Sequence, residues 1–170
     1  MSELRTNRII PRDGLPSGSS GGIIQVKQVI KKDQFTTAQA VGSGYTDLTG
    51  LSVDITPTRS DSKILIEAHI YNSNNNAVNF FRILRGSTFI EQPSGTSSGG
   101  ANWNAHGFSY FDHQFQDTTV IKILDSPTTT SSTTYKIQCA TTSSVLTINK
   151  FYNTSNYYGI STLTVYEVSG

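Results

Sequence analysis

Cysteine, tryptophan and methionine occur once each in this chain of 170 residues, proline occurs five times, and only 15% of the residues are charged. A single cysteine, Cys139, excludes an internal disulfide and a cysteine-based zinc cage, and it reads as a small apolar residue within a strand. The 13 Lys and Arg barely exceed the 12 Asp and Glu. The basic surplus that phosphate neutralisation needs is therefore missing, and nucleic acid is not an expected partner. No stretch approaches the roughly 20 consecutive apolar residues of a membrane-spanning helix, so no membrane span is expected. The opening MSELRTNRIIPRDG has no apolar signal core, which implies synthesis in a cytosol and makes Asn153-Thr154-Ser155 a chance match to the glycosylation triplet. Heptads and internal repeats are also lacking.

What the chain does contain is Ser, Thr and Asn, roughly a third of all residues, which favour turns and solvated strand faces and compete with helix through their own backbone. The stretch Leu51 to Arg85 organises the rest, because it reads as three strands joined by two polar breaks. Thr56 to Ser62 breaks the first pair through Pro57 and Asp61-Ser62, and Asn72 to Asn76 is read as a polar turn unable to extend a buried strand. Between them Ile64, Ile66, Ala68 and Ile70 form a core face, with Lys63, Leu65, Glu67, His69 and Tyr71 opposite. Val78 to Arg85 is apolar on both faces through Phe80, Phe81, Ile83 and Leu84, which suggests one face on the core and one on a neighbouring subunit. Arg82 and Arg85 are then either solvated edge residues or members of an intersubunit or cross-strand ion pair.

Further strands follow the same alternation. In Ile23 to Ile30 the face carrying Ile24, Val26 and Gln28 is expected inward. Ile121 and Ile123 share a face in Thr118 to Leu124, and the same holds for Tyr135, Ile137 and Cys139, for Leu146 and Ile148, and for Leu163 and Val165. Nine or ten short strands, no helix, and turns every 8 to 15 residues or so predict an all-β sandwich or jelly roll. Residues 1–22 form a separate extended leader: the basic-apolar Leu4 to Ile10 precedes Pro11, Gly14, Pro16 and a Gly/Ser run too poor in apolar surface to order itself. Residues 23–170 make the single folded domain.

No converging reactive groups stand out, so the chain is not expected to be an enzyme or to need a cofactor or metal. His69, His106 and His113 have no metal-ligand spacing and read as solvated or partner-facing, although Glu67 and His69 share a face and can pair. Aromatic residues outside the core strands are the better binding candidates: Trp103 with Phe108, Tyr110 and Phe111, and Tyr152 with Tyr157 and Tyr158. They could stack on a sugar face or pack against a subunit.

The succession GGIIQVKQVIKKDQF, YTDLTGLSVDITPTRSDSKILIEAHI, NFFRILRGSTFI, TTYKIQCATTSSVLTINK and YYGISTLTVYEV resembles a domain of virion structural proteins and tail fibres of tailed bacteriophages, marine and cyanobacterial ones especially. The resemblance implies a tumour-necrosis-factor-like jelly-roll knob, usually a homotrimer, residing in the virion after synthesis in the host bacterial cytoplasm. It implies that the leader anchors the knob to other virion proteins, with Leu4, Arg5, Asn7, Arg8, Ile9 and Ile10 as anchoring residues. Tyr71, Phe81, Arg82 and Tyr166 become candidates for the trimer interface, and Trp103, Tyr152, Tyr157 and Tyr158 for attachment to a host surface glycan. The absence of a shaft keeps a capsid decoration protein open as an alternative to a tail fibre, with a carbohydrate-binding or polysaccharide-degrading module as a third reading.

Overall fold

In the computed structural model the described residues, 22–95, 103–152 and 156–170, form eleven strands, with a short 3-10 turn at Val41–Ser43. The strands are β1 (Ile23–Lys31), β2 (Phe35–Thr37), β3 (Thr46–Ile55), β4 (Lys63–Asn74), β5 (Ala77–Arg85) and β6 (Thr88–Phe89). They continue as β7 (Gly107–Phe111), β8 (Phe115–Asp125), β9 (Thr133–Thr141), β10 (Leu146–Ile148) and β11 (Ser161–Val168).

Two antiparallel sheets result. One has the order β1–β11–β4–β8, with β10 and β2 completing it beside the far end of β4. The other has the order β3–β9–β5, and β6 and β7 pair with successive parts of the remaining edge of β5. The eight principal strands thus interleave as β1–β11–β4–β8 facing β3–β9–β5–β7, the order of an eight-stranded jelly roll. Alternation explains the core between the sheets. Ile64, Ile66, Ala68, Ile70, Leu163 and Val165 from one sheet meet Phe81, Ile83, Tyr135, Ile137 and Cys139 from the other, all fully buried. Burial pushes the Cys139 thiol up to about 12, so it is an inert apolar residue.

Three expectations from the sequence need correction. First, the inward face of β1 is the opposite one: Val29 packs on the core and Lys31 is buried, whereas Val26 and Ile30 are about half exposed. Unbroken pairing with β11 from Gln25 to Lys31 places Val26 opposite Tyr166 on the outer face, and the alternation misleads because the more apolar side of β1, with Val26 and Ile30, is the one turned outward. Second, Asn72, Ser73 and Asn74 are not a turn but the last residues of β4, and all three are fully buried. They are tolerated because their amides bond to one another's neighbours. Asn74 Nδ2 donates to Asn79 Oδ1 (2.6 Å) and Thr141 Oγ1 (3.0 Å). Asn79 Nδ2 donates to Asn72 Oδ1 (2.9 Å), and Asn72 Nδ2 donates to the Ile70 and Asp117 carbonyls and to Thr119 Oγ1. The chain then crosses to the other sheet in two residues, with Asn76 in the left-handed region at φ 56°.

Third, the second apolar face of β5 meets its own chain. Phe80 packs with Val41 and Ala140 under the edge of Trp103, whose ring centroid lies 5.6 Å away. Nearby, His106 is neither solvated nor partner-facing. Its Nδ1 accepts the Ile83 N–H (2.9 Å) and its Nε2 donates to the Ile90 carbonyl (2.8 Å), and burial holds its pKa below the ordinary value.

The opposite end of β4 is closed by charge. Arg85 Nη1 donates to both Asp125 oxygens (2.8 and 2.7 Å), an ion pair that links the two sheets within one chain. Tyr135 adds its hydroxyl at 2.6 Å, and burial together with that bond raises the phenol far above its ordinary value. Glu167, fully buried on β11, collects Gln25 Nε2, the Thr58 N–H, Thr58 Oγ1 and Ser62 Oγ at 2.6 to 2.7 Å, which pins the Thr56 to Ser62 break onto the sheet.

Candidate interaction surface

The outer face of the β1–β11–β4–β8 sheet departs from what an antiparallel sheet shows to water, where outward positions are usually polar. Pairing aligns Val26, Tyr166, Leu65 and Leu124 in one row across the four strands. A second row, two residues along, is Gln28, Thr164, Glu67 and Lys122, and a third is Ile30, Thr162, His69 and Val120. Val26, Ile30, Val120 and Leu124 are 50%, 47%, 56% and 53% exposed, with Leu65 and Tyr166 half-buried between them. At the strand spacing and rise of a β-sheet, four strands of this length present a face of roughly 500–700 Å².

The middle row satisfies itself. Gln28 Nε2 donates to Thr164 Oγ1 at 2.8 Å, and Glu67 receives His69 Nε2 at 2.8 Å on one oxygen and Lys122 Nζ at 3.5 Å on the other. The bond from His69 is the largest influence on the Glu67 carboxyl and, with Lys122, holds it below its ordinary range against the opposing push of burial. The pairing of Glu67 with His69 was therefore legible from their shared strand face. Beside this row the sheet dips into a shallow depression of about 370 Å³, bordered by Thr118 and Ile160.

Of the residues singled out from sequence, Tyr166 and Tyr71 lie on this face. Tyr71 bonds through its hydroxyl to Gln116, and the loop before β11 lies across it, so that a methyl group at Gly159 would overlap the Tyr71 ring. Gly159→Ala is expected to lower stability by about 1–3 kcal/mol, as overpacking does, read as a lower urea midpoint at unchanged slope. An unchanged midpoint would show that this loop moves aside freely.

Phe81 cannot be an interface residue, since it is fully buried in the core of its own chain. Arg82 lies on the other sheet, where its Nε and Nη2 donate to Gln138 Oε1 (2.9 and 2.7 Å) and its guanidinium covers the Tyr45 ring at 4.0 Å. Burial pushes the Tyr45 phenol up to about 12, so it stays neutral beneath the cation. Sequence reasoning missed Val26, Val120 and Leu124 as surface residues. The one available signal was Leu65, an apolar side chain among Lys63, Glu67 and His69 on the face opposite the core.

The aromatic candidates divide. Trp103 is 38% exposed and rests on Phe80, next to the exposed rings of Phe108 and Tyr110 on β7. Tyr157 and Tyr158 are exposed in the loop between β10 and β11, where Tyr157 meets Phe151 edge-on at 6.0 Å and Lys150 bridges to Tyr158. Tyr152 is half-buried, its hydroxyl 3.4 Å from Ser144 Oγ. Asn149 anchors that loop: its Nδ2 donates to the Lys31 and Asp33 carbonyls, its Oδ1 accepts from Ser161, and its backbone is left-handed at φ 60°. Leu4, Arg5, Asn7, Arg8, Ile9 and Ile10 lie outside the described residues, as does the Asn153 triplet.

No family model matches the chain, and no curated protein does. Among solved structures, a chain of the infectious bursal disease virus Gt strain is 13% identical, with a TM-score of 0.46 over 98% of this chain and 43% of that one. The VP2 subviral particle of the same virus gives 12% identity and a TM-score of 0.42, covering 86% of this chain and 38% of that one. The tripod from the baseplate of bacteriophage Tuc2009 gives 9% identity and a TM-score of 0.41, covering all of this chain and 81% of that one. This chain thus spans less than half the length of the bursal disease virus chains it matches. Likenesses of this size assign no activity, ligand or partner. Among the described residues there is no group of three or more His, Cys, Asp or Glu side chains that could hold a metal ion, and no helix long and apolar enough to cross a membrane.

Proposed function

We propose that this protein is a non-enzymatic virion structural protein that assembles as a homotrimer, with the outer face of the β1–β11–β4–β8 sheet turned toward its copies. The observation that carries the reading is the apolar row Val26, Tyr166, Leu65 and Leu124, exposed at its two ends and half-buried at its middle in the single chain. A face of roughly 500–700 Å² is close to the 800 Å² or so that each partner contributes to a stable interface. The face carries no unpaired charge among its three central ionisable groups, so covering it strands no net charge. The sequence resemblance to phage virion proteins supplies the trimer and the particle. Residues Leu4 to Ile10 would hold the knob to other virion proteins, and the loops bearing Trp103, Tyr157 and Tyr158 would meet the host surface.

Light scattering on the purified chain at micromolar concentration is expected to give three times the 18.5 kDa of one chain. Leu65→Asp is expected to weaken association on the order of 100-fold, because it replaces an apolar contact with a negative charge on a face whose central charges already balance. Its fold, read by circular dichroism, should be retained, since Leu65 faces away from the core. A monomeric wild-type protein would end the proposal, and an unaffected Leu65→Asp trimer would move the interface elsewhere.

A further inference from the structure

Between the apolar rows of this sheet lie Glu67, His69 and Lys122, within 3.5 Å of one another through Glu67. The charged and titratable groups facing His69 are Glu67 and Tyr71 on its own strand, Lys122 on β8 and Tyr166 on β11, while β1 contributes the uncharged Gln28. With a neutral imidazole, the glutamate and the lysine cancel. With a protonated imidazole, the row carries one uncompensated positive charge in every copy.

We infer that His69 makes self-association of this protein pH-dependent: protons and a second copy compete for the outer sheet face, so acid releases the copies from one another. The inference rests on the proposed assembly through that face. Removing water from the row costs less while its charges cancel than once it carries net charge, and the like charge gained by every copy adds repulsion among them. A free copy has no such penalty, because the protonated ring keeps its bond to Glu67 in contact with solvent. Glu67 stays ionised over the range in which histidine titrates, since its carboxyl lies below the ordinary range. By linkage, the copy that binds a proton more readily is the dissociated one, so affinity falls as pH falls.

Sedimentation velocity on the full chain at about pH 7.5 and about pH 5.5 tests this, with near-ultraviolet circular dichroism confirming the fold at both. Association of the wild type is expected to weaken on the order of tenfold in acid. His69→Gln, which keeps a side-chain amide beside Glu67 but cannot titrate, is expected to associate equally at both pH values. Lys122→Met is the sharper variant. Its row is negative at neutral pH and becomes neutral in acid, so its pH dependence should reverse in sign. Equal association of the wild type at both pH values, acid release that persists in His69→Gln, or a Lys122→Met variant that does not reverse would each overturn the inference while leaving the assembly in place. Absence of association at either pH would remove the assembly and this inference together.

Discussion

Glu167→Ala is expected to lower the free energy of unfolding by about 3–4 kcal/mol. The carboxylate is fully buried and accepts four hydrogen bonds, from Gln25, from the backbone and side chain of Thr58, and from Ser62. Truncation removes the common acceptor of the Thr58 N–H, Thr58 Oγ1, Gln25 and the buried Ser62 hydroxyl, and it frees the β3–β4 connection from the sheet. Burial alone would raise this carboxyl, but the donors together outweigh it and hold it below its ordinary range. A carboxyl lowered in the folded state contributes stability that is fully present above the ordinary carboxylate range and is lost as pH falls through the folded value. Glu167→Gln, which cannot ionise, should therefore trail the wild type at neutral pH and approach it in acid. Urea unfolding of both proteins across that range measures the gap. A gap that stays constant into acid would mean that ionisation of Glu167 contributes nothing to folding.

Asn79→Leu, although close in size, is expected to cost about 2–4 kcal/mol. Asn79 gives its amide to Asn72 and accepts from Asn74, so an apolar replacement strands a carbonyl oxygen and an N–H in the closed end of the sandwich. In a partly satisfied network the remaining members bear the desolvation cost that the complete one avoids. Thermal or urea unfolding against the wild type reads the loss directly. A neutral or stabilising Asn79→Leu would show that this end of the sandwich admits water, contrary to the full burial of Asn72, Asn74 and Asn79.

These two sites also mark where reading by residue type reached its limit. A run of asparagines after Tyr71 carries every local signal of a turn, and apart from nearby Ile70 and Asn79 the oxygens that accept from Asn72 and Asn74 include those of Asp117, Thr119 and Thr141, 45 to 67 residues away. Glu167 sits in an otherwise regular alternation, and its four donors lie some 105 to 142 residues distant. In both cases a polar side chain is buried because partners converge on it, and convergence is a property of the fold.

Alternation in the chain was enough to determine the all-β class, the division into short strands and the inward sets of β4, β9, β10 and β11, because a half-buried strand repeats every two residues whatever it packs against. Where both faces of a strand are apolar the period carries no information. Tertiary structure alone decided that Phe80 and Phe81 are both covered within one chain, that β1 turns Val26 outward, and that Val26, Tyr166, Leu65 and Leu124 line up. A row across a sheet is set by the register between strands, and register is fixed by contacts among residues that the sequence keeps apart.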